Sequence, residues 1–322
     1  MEQQKYKIRE YKDSDLQGVL NLWEHHSGWG RPETEEYEGW MKTPFGDCIV
    51  LVAENKKDLI IGQLVLTPTE LVIYGKNQNA LKLSAPIIHG DYRRGTNMIN
   101  KESLIIQIFL KAYQIAQKKN YTWWYSFPAA GWSKIMGLIH RFGLSPWKYS
   151  FYECFEIMDS NIKTSDFSLQ ILDEFSDEIS IIWDQFKRLN KDRSFVTRDL
   201  EWLKYKWGDD LKIGIYNLSD ALVGYAVIKQ NTGLILDFVM LSSKDTPVVI
   251  NELKQLFDTL MKSEGVSNPG LKFMQTDYLK RNLNGVNVKP VAFQFVFGLS
   301  ALKNSDVLDA IDLNDWYVFP ND

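Results

Sequence analysis

The chain has 322 residues and a net charge of −4, from 37 Lys and Arg against 41 Asp and Glu, and it is 45% hydrophobic and 24% charged. That length suits two domains of about 150 residues each, and the composition is that of a globular protein without a long disordered tail. The acidic balance excludes a general nucleic-acid binder, which needs a basic face, and no stretch reaches the roughly 18 apolar residues of a membrane span.

Residues 1–9 are charged and lack the apolar core of a signal peptide. A cytoplasmic protein is therefore expected, with neither nucleic acid nor membrane as partner. Cys48 and Cys154 are too few for a disulfide framework or a metal knuckle. His25, His26, His89 and His140 form no ligand spacing with Cys or acidic residues, so no metal site is expected. Aromatics make up 13% of the chain, including 11 Trp, more than a core needs, which points to some of them lining a groove or interface.

Residues 6–10 alternate as a short strand, and Asp13-Ser-Asp15 caps a helix with Leu16, Val19, Leu20 and Trp23 on one face. Residues 25–32 read as a loop and 33–41 as a second short helix carrying Tyr37 and Trp40. Segments 48–53, 60–66, 70–74 and 80–88 are apolar and β-branched runs joined by turns, which predicts a meander of antiparallel strands. Residues 103–118 form a helix that is apolar around most of its circumference, so it is buried on more than one side. Residues 121–127 make a strand ending at Pro128, 132–142 a helix stopped by Gly143, and 150–158 a returning strand.

The polar run 160–167 marks a boundary, giving domains 1–160 and 161–322. Beyond it, the pattern predicts a strand at 168–175, helices at 179–189 and 198–207, and strands at 211–216, 221–229 and 233–241. A helix at 248–261 follows, then strands at 271–275 and 292–299 and a polar tail. The order of elements occurs twice, the signature of a tandem repeat. The fold class read from this is α+β, two similar domains, each a mixed, mostly antiparallel sheet flanked by helices.

The order of elements, with His89-Gly-Asp-Tyr-Arg-Arg-Gly95 before the central helix, Phe127-Pro128 after the fifth strand and Phe142-Gly-Leu144 later, resembles the GNAT (GCN5-related N-acetyltransferase) superfamily, in its tandem-domain branch. Arg198-Asp-Leu-Glu-Trp202 with Tyr205, Gly224-Tyr-Ala-Val227, Leu236-Asp237-Phe238 and the closing Asp315-Trp316 with Asp322 resemble that branch's companion domain. The resemblance implies an N-acyltransferase moving an acyl group from acetyl-CoA or another acyl-CoA to a small-molecule or peptide amine. The N-terminal domain would bind the acyl-CoA, and the C-terminal one, a degenerate copy, would shape the acceptor cleft between the halves.

On that resemblance, the backbone of Arg93, Arg94, Gly95, Thr96 and Asn97 at the helix entrance would cradle the pyrophosphate, aided by the helix dipole. Backbone N–H groups of Ile87, Ile88 and His89 would polarise the thioester carbonyl. Tyr125 and His89 are the candidates for proton transfer. Trp202, Tyr205 and Asp237 are candidates for the acceptor cleft.

This sequence departs from the family pattern in four places. Gly90 stands where Pro is usual, Ala129-Ala130 where Asn is usual, and Ile139, four residues before Gly143, where a Tyr acid is common. The loop after Gly95 is also longer and poorer in glycine, which limits close approach to a pyrophosphate. In the second half, Ser242-Ser-Lys-Asp-Thr-Pro247 has no glycine before the helix. Two further readings follow: a non-catalytic ligand-binding protein on a decayed acyltransferase scaffold, and a Fem-like aminoacyl transferase, which the missing coiled-coil arm and the negative charge disfavour.

Overall fold

The computed structural model describes residues 6–93, 99–128, 130–159, 166–267, 269–303, 305–320 and 322. They form two compact units built from interleaved segments. Unit 1 comprises Met1–Glu70, Gln78–Tyr149 and Phe297–Ile311; unit 2 comprises Leu71–Asn77, Ser150–Val296 and Asp312–Asp322.

The first half of the chain contributes β1 (Tyr6–Glu10), α1 (Leu16–His26), α2 (Thr34–Trp40), β2 (Lys42–Thr43), β3 (Gly46–Asp47), β4 (Ile49–Asn55), β5 (Ile60–Ile73), β6 (Lys76–Ile88), α3 (Leu104–Lys118), β7 (Trp123–Ser126) and α4 (Ala130–Ile139). The strands expected at 60–66 and 70–74 are one continuous β5, because Pro68 interrupts the apolar run without breaking the extended backbone. Alternation sorts the side chains between two layers. Leu51, Ala53, Leu64, Leu81 and Leu83 face α3 through Ile108, Phe109 and Ala112, while Val50, Val52 and Val65 face α1 and α2 through Val19, Leu20 and Tyr37.

The remainder contributes β8 (Lys148–Ile157), β9 (Phe167–Leu172), α5 (Glu178–Leu189), β10 (Ser194–Val196), α6 (Leu200–Trp207), β11 (Leu211–Asn217), β12 (Leu222–Lys229), β13 (Leu234–Met240), α7 (Thr246–Ser263), β14 (Lys272–Met274), α8 (Asp277–Asn282), β15 (Val288–Ala301), α9 (Ser305–Asp309) and β16 (Trp316–Tyr317). Strand order is β1-β4-β5-β6-β7-β15 in unit 1 and β9-β11-β12-β13-β14-β8 in unit 2. Both are antiparallel except for one pair on either side of a long helix. In unit 1, β6 and β7 run parallel with α3 between them; in unit 2, β13 and β14 do so with α7 between them.

The final position in each order is filled by a strand from the other half of the chain. Residues 298–301 of β15 pair with β7, and residues 154–156 of β8 pair with β14. The expected division at 160 follows the chain linearly, whereas the compact units exchange these segments. The expected polar tail is also different in the structure: Trp316, Tyr317, Val318 and Phe319 are fully buried, and β16 pairs with β10. Six short elements, β2, β3, β10, α8, α9 and β16, have no counterpart among the predicted ones because each is too short to show a period. The described residues contain nine α-helices, none long and apolar enough to cross a membrane.

Candidate active site

The end of β6 differs from the rest of its sheet. β6 pairs with β7 at Ala80, Leu81 and Lys82, and the Ser126 hydroxyl adds a bond to the Leu83 carbonyl at 3.2 Å. β7 ends at Ser126, while β6 runs on to Ile88. Within this overhang the facing of side chains changes phase: Leu81 and Leu83 lie in the α3 core, but so does Ile88, and Ile87 lies in the α1 core. The change is made at Ala85, whose φ of 46° lies in the left-handed region that an L side chain adopts only under strain. Such breaks in strand alternation cluster beside active sites, where they re-aim backbone groups.

The backbone groups around the break can be assigned. The His89 N–H donates to the Ile61 carbonyl at 2.8 Å, towards β5. Alternation then turns the N–H and C=O of Ile88 away from β5. The Ile88 carbonyl accepts from Arg93 Nε at 2.7 Å. Of the amides expected to polarise a thioester, that of His89 is committed to the sheet and that of Ile88 faces the opened side.

A cavity of about 120 Å³ is lined by Ile88, Tyr92, Arg93, Ile99, Ser103, Ile105 and Ile135. It borders the entrance of α3. Ser103 precedes the helix with its hydroxyl tied to Asn100, accepting from the Asn100 N–H at 2.9 Å and donating to Asn100 Oδ1 at 3.2 Å, and makes no side-chain cap to the first helical amides. Those amides and the positive end of the helix dipole are therefore available to an anion.

The loop residues Arg94, Gly95, Thr96 and Asn97 lie outside the described residues. Arg93 is described, and its guanidinium turns back on the protein: besides Ile88, it donates through Nη2 to the His26 carbonyl. His26 thereby enters the site; expected in a connecting loop, it is the last residue of α1. Its ring lies 4.1 Å from that of His89 between centroids, and its Nδ1 accepts from the Gly90 N–H at 3.3 Å. Burial, followed by the neighbouring His89 and Arg93, holds its pKa below the usual 6.5. With Nδ1 occupied, the neutral ring carries its proton on Nε2. Nothing in the spacing of the sequence foretells this pairing, since His26 and His89 come from different elements.

The His89 side chain accepts from the Asp91 N–H at 3.2 Å through Nδ1. It therefore caps the turn at 90–92, while the Asp91 carboxylate lies largely in solvent. Tyr125 is fully buried on β7, its ring 6.1 Å from Phe297. It faces away from Trp124, which packs in the α3 core against Tyr113. Ile139 is fully buried in that same core, so the position of the usual Tyr acid is filled by packing. His140 is exposed, its Nδ1 2.6 Å from the Gly137 carbonyl at the helix end.

In unit 2, Asp237 is fully buried and accepts from Arg198 Nε at 2.7 Å, the Tyr225 hydroxyl at 3.1 Å and the Phe238 N–H at 2.9 Å. Trp202 is also buried, its ring 5.4 Å from that of Tyr205 between centroids and tilted to it. Of the three residues expected in a cleft, Asp237 and Trp202 are core groups, because a carboxylate with three donors and an enclosed indole leave no surface for a substrate; Tyr205 is half-buried. The entrance of α7 is unlike that of α3. Asp245 stands at its N-cap and Pro247 in its first turn, which places a negative charge there and removes an amide donor. No group of His, Cys, Asp and Glu suited to a metal ion occurs among the described residues.

No family model matches the chain, and no curated relative matches it. Solved structures do. A GCN5-related N-acetyltransferase from Anabaena variabilis superposes with a TM-score of 0.64 at 13% identity, over 92% of this chain and 73% of that one. A tandem GNAT protein from the clavulanic acid biosynthesis pathway gives 0.57 at 11% identity, over 93% of this chain and 99% of that one. Saccharomyces cerevisiae N-myristoyltransferase, solved with bound myristoyl-CoA, gives 0.58 at 11% identity, over 92% and 79%. At these identities the likeness is one of fold: the chain has the mixed, mostly antiparallel GNAT fold.

Proposed function

We propose that the chain is an acyl-CoA-dependent N-acyltransferase of the tandem kind, with its reaction site in unit 1 and a degenerate copy in unit 2. The observation that carries this reading is the overhang of β6. There the strand breaks its alternation at Ala85, leaves its partner β7, turns the Ile88 amide to the opened side and borders a cavity at the uncapped entrance of α3. An extended thioester arm fits along such an opening, with the pyrophosphate at the helix entrance. The structural neighbour solved with myristoyl-CoA supports the class of co-substrate.

In this reading the amine lone pair attacks the thioester carbonyl, the developing oxyanion is met by the Ile88 N–H, and the C–S bond breaks to release a thiolate that takes up a proton. The proton shed by the attacking amine balances the one the thiolate takes up; His89, neutral with Nδ1 accepting, offers Nε2–H as a hydrogen-bond donor to the leaving sulfur without giving that proton up. Tyr125 remains the second candidate, enclosed at the start of the opening.

Isothermal titration with acetyl-CoA, longer acyl-CoAs and free CoA tests the proposal. Binding is expected, and Arg94→Ala is expected to weaken CoA while leaving fragments without the pyrophosphate unchanged. No binding at millimolar cofactor would refute the transferase. The buried Ile139 favours one second reading, a binding protein that retains the scaffold without an acid; binding of CoA with no acyl transfer to any of a panel of amines would support it.

A further inference from the structure

The segment joining α1 to β4 carries a surface that the acyltransfer scheme leaves unused. Trp29 is 68% exposed and Trp40 39% exposed, and both lean on the buried Trp23, with ring centroids at 5.6 and 5.7 Å. Trp23 is itself fixed, its Nε1 donating to the buried Gln63 at 3.1 Å. Trp29 is held out by its backbone. Gly28 and Gly30 on either side have φ of 84° and 88°, with open space where a Cβ would stand, and the Trp29 N–H donates to the Ser27 hydroxyl at 2.8 Å. Two large aromatic faces are thus presented to solvent by a turn that glycine makes accessible.

The charge around them is one-sided. Residues 24–47 hold six carboxylates (Glu24, Glu33, Glu35, Glu36, Glu38 and Asp47) and two basic side chains, Arg31 and Lys42, for a net of −4, the net charge of the whole chain. Arg31 is engaged with Glu24 at 3.2 Å and with Asn21. On α2, Glu36 precedes Trp40 by four residues and lies on the indole's stripe of the helix, while Glu33 stands at the N-cap with extended backbone. Exposed indole faces among carboxylates suit a cation that is itself partly apolar, since the ring quadrupole attracts the charge and the ring plane covers the methylenes.

We infer that this surface binds a linear alkyl diammonium or a similar cationic amine. Resting on the acyltransferase reading, it also defines the acceptor class: an amine whose far end carries a second positive charge. Trp29 follows His26 by three residues, a span of at most about 11 Å of chain, and His26 contacts the turn that closes β6. A five-carbon diamine is of comparable length, so one ammonium can rest on the indoles while the other is directed towards the end of β6.

Titration calorimetry with cadaverine and with pentylamine, the monoamine of the same length, tests the inference without any cofactor. Cadaverine is expected to bind about tenfold more tightly, because each amine can place one ammonium on an indole and only cadaverine keeps a second charge for the surrounding carboxylates. Raising the salt concentration should narrow that margin. Trp29→Leu with Trp40→Leu, which keeps apolar cover over Trp23 but removes the π faces, should remove most of the preference. Glu33→Gln with Glu36→Gln, a surface change of the same shape, should reduce it. Equal affinities for the two amines, or a cadaverine affinity unchanged in both double variants, would overturn the inference. Cadaverine binding in a protein that fails to bind CoA would keep the cation surface and reject only the transferase; CoA binding without diamine preference would do the reverse.

Discussion

Arg198 shows how one residue can order a core made of charges. Its guanidinium is fully buried and donates to Asp237, to Asp322 at 2.7 Å and to the Val196 carbonyl at 2.6 Å. Asp322 also accepts from the Phe319 N–H at 2.6 Å, so the residue ties β13 and the segment after β16 to the start of α6. A buried pair contributes little against an apolar replacement of the whole set, but removing one partner leaves charges without compensation. Arg198→Met is therefore expected to destabilise unit 2 by about 3–5 kcal/mol, read as a lowered urea midpoint. A midpoint unchanged from the wild type would show that the two carboxylates are neutralised by other means. Arg93 has the opposite character: exposed, and held to two backbone carbonyls, it fixes the turn after β6.

The start of α1 illustrates the same chemistry at the level of an element. Asp15 accepts two bonds from Arg9, at 2.6 and 2.8 Å, and one from the Lys12 N–H at 2.8 Å. The Arg9 guanidinium, above all, holds its carboxyl below the ordinary 3.8, with burial opposing. Because the folded value is depressed, the stabilisation is complete above the ordinary carboxylate pKa and is lost as pH falls through the lower, folded value. The thermal midpoint of unit 1 is thus expected to drop below about pH 4, and Asp15→Asn should flatten this acid limb at the cost of stability at neutral pH. An acid limb of the same depth in the variant would assign it to other carboxylates. In β6, by contrast, the decisive feature is conformational. Ala85 at positive φ breaks the alternation that the sequence would otherwise continue, so no count of apolar positions reveals which way Ile87 and Ile88 point.

For the whole molecule, the exchange of final strands makes a prediction about dissection. A fragment of residues 1–160 lacks the segment of β15 that pairs with β7 and carries a β8 without β14. It is expected to be insoluble or to lack fixed near-UV circular dichroism, and to gain ordered structure when co-expressed with residues 161–322. Cooperative folding of the isolated fragment would show that the exchanged strands are dispensable. The repeated order of elements, the amphipathic helices α1, α3, α5 and α7 and the strands they pack on were legible from periodicity alone, because burial imposes a 3.6- or 2-residue period on any element long enough to display it. The class of site was legible from the sequence around His89 and Arg93 only through resemblance. The sequence by itself thus determined two similar α+β halves and the helix entrance where an anionic co-substrate is expected. The tertiary structure alone decided that His26 meets His89, that Asp237 and Trp202 lie in a core, and that each half lends its last strand to the other unit, because these contacts join residues far apart in the chain and leave no local period to read.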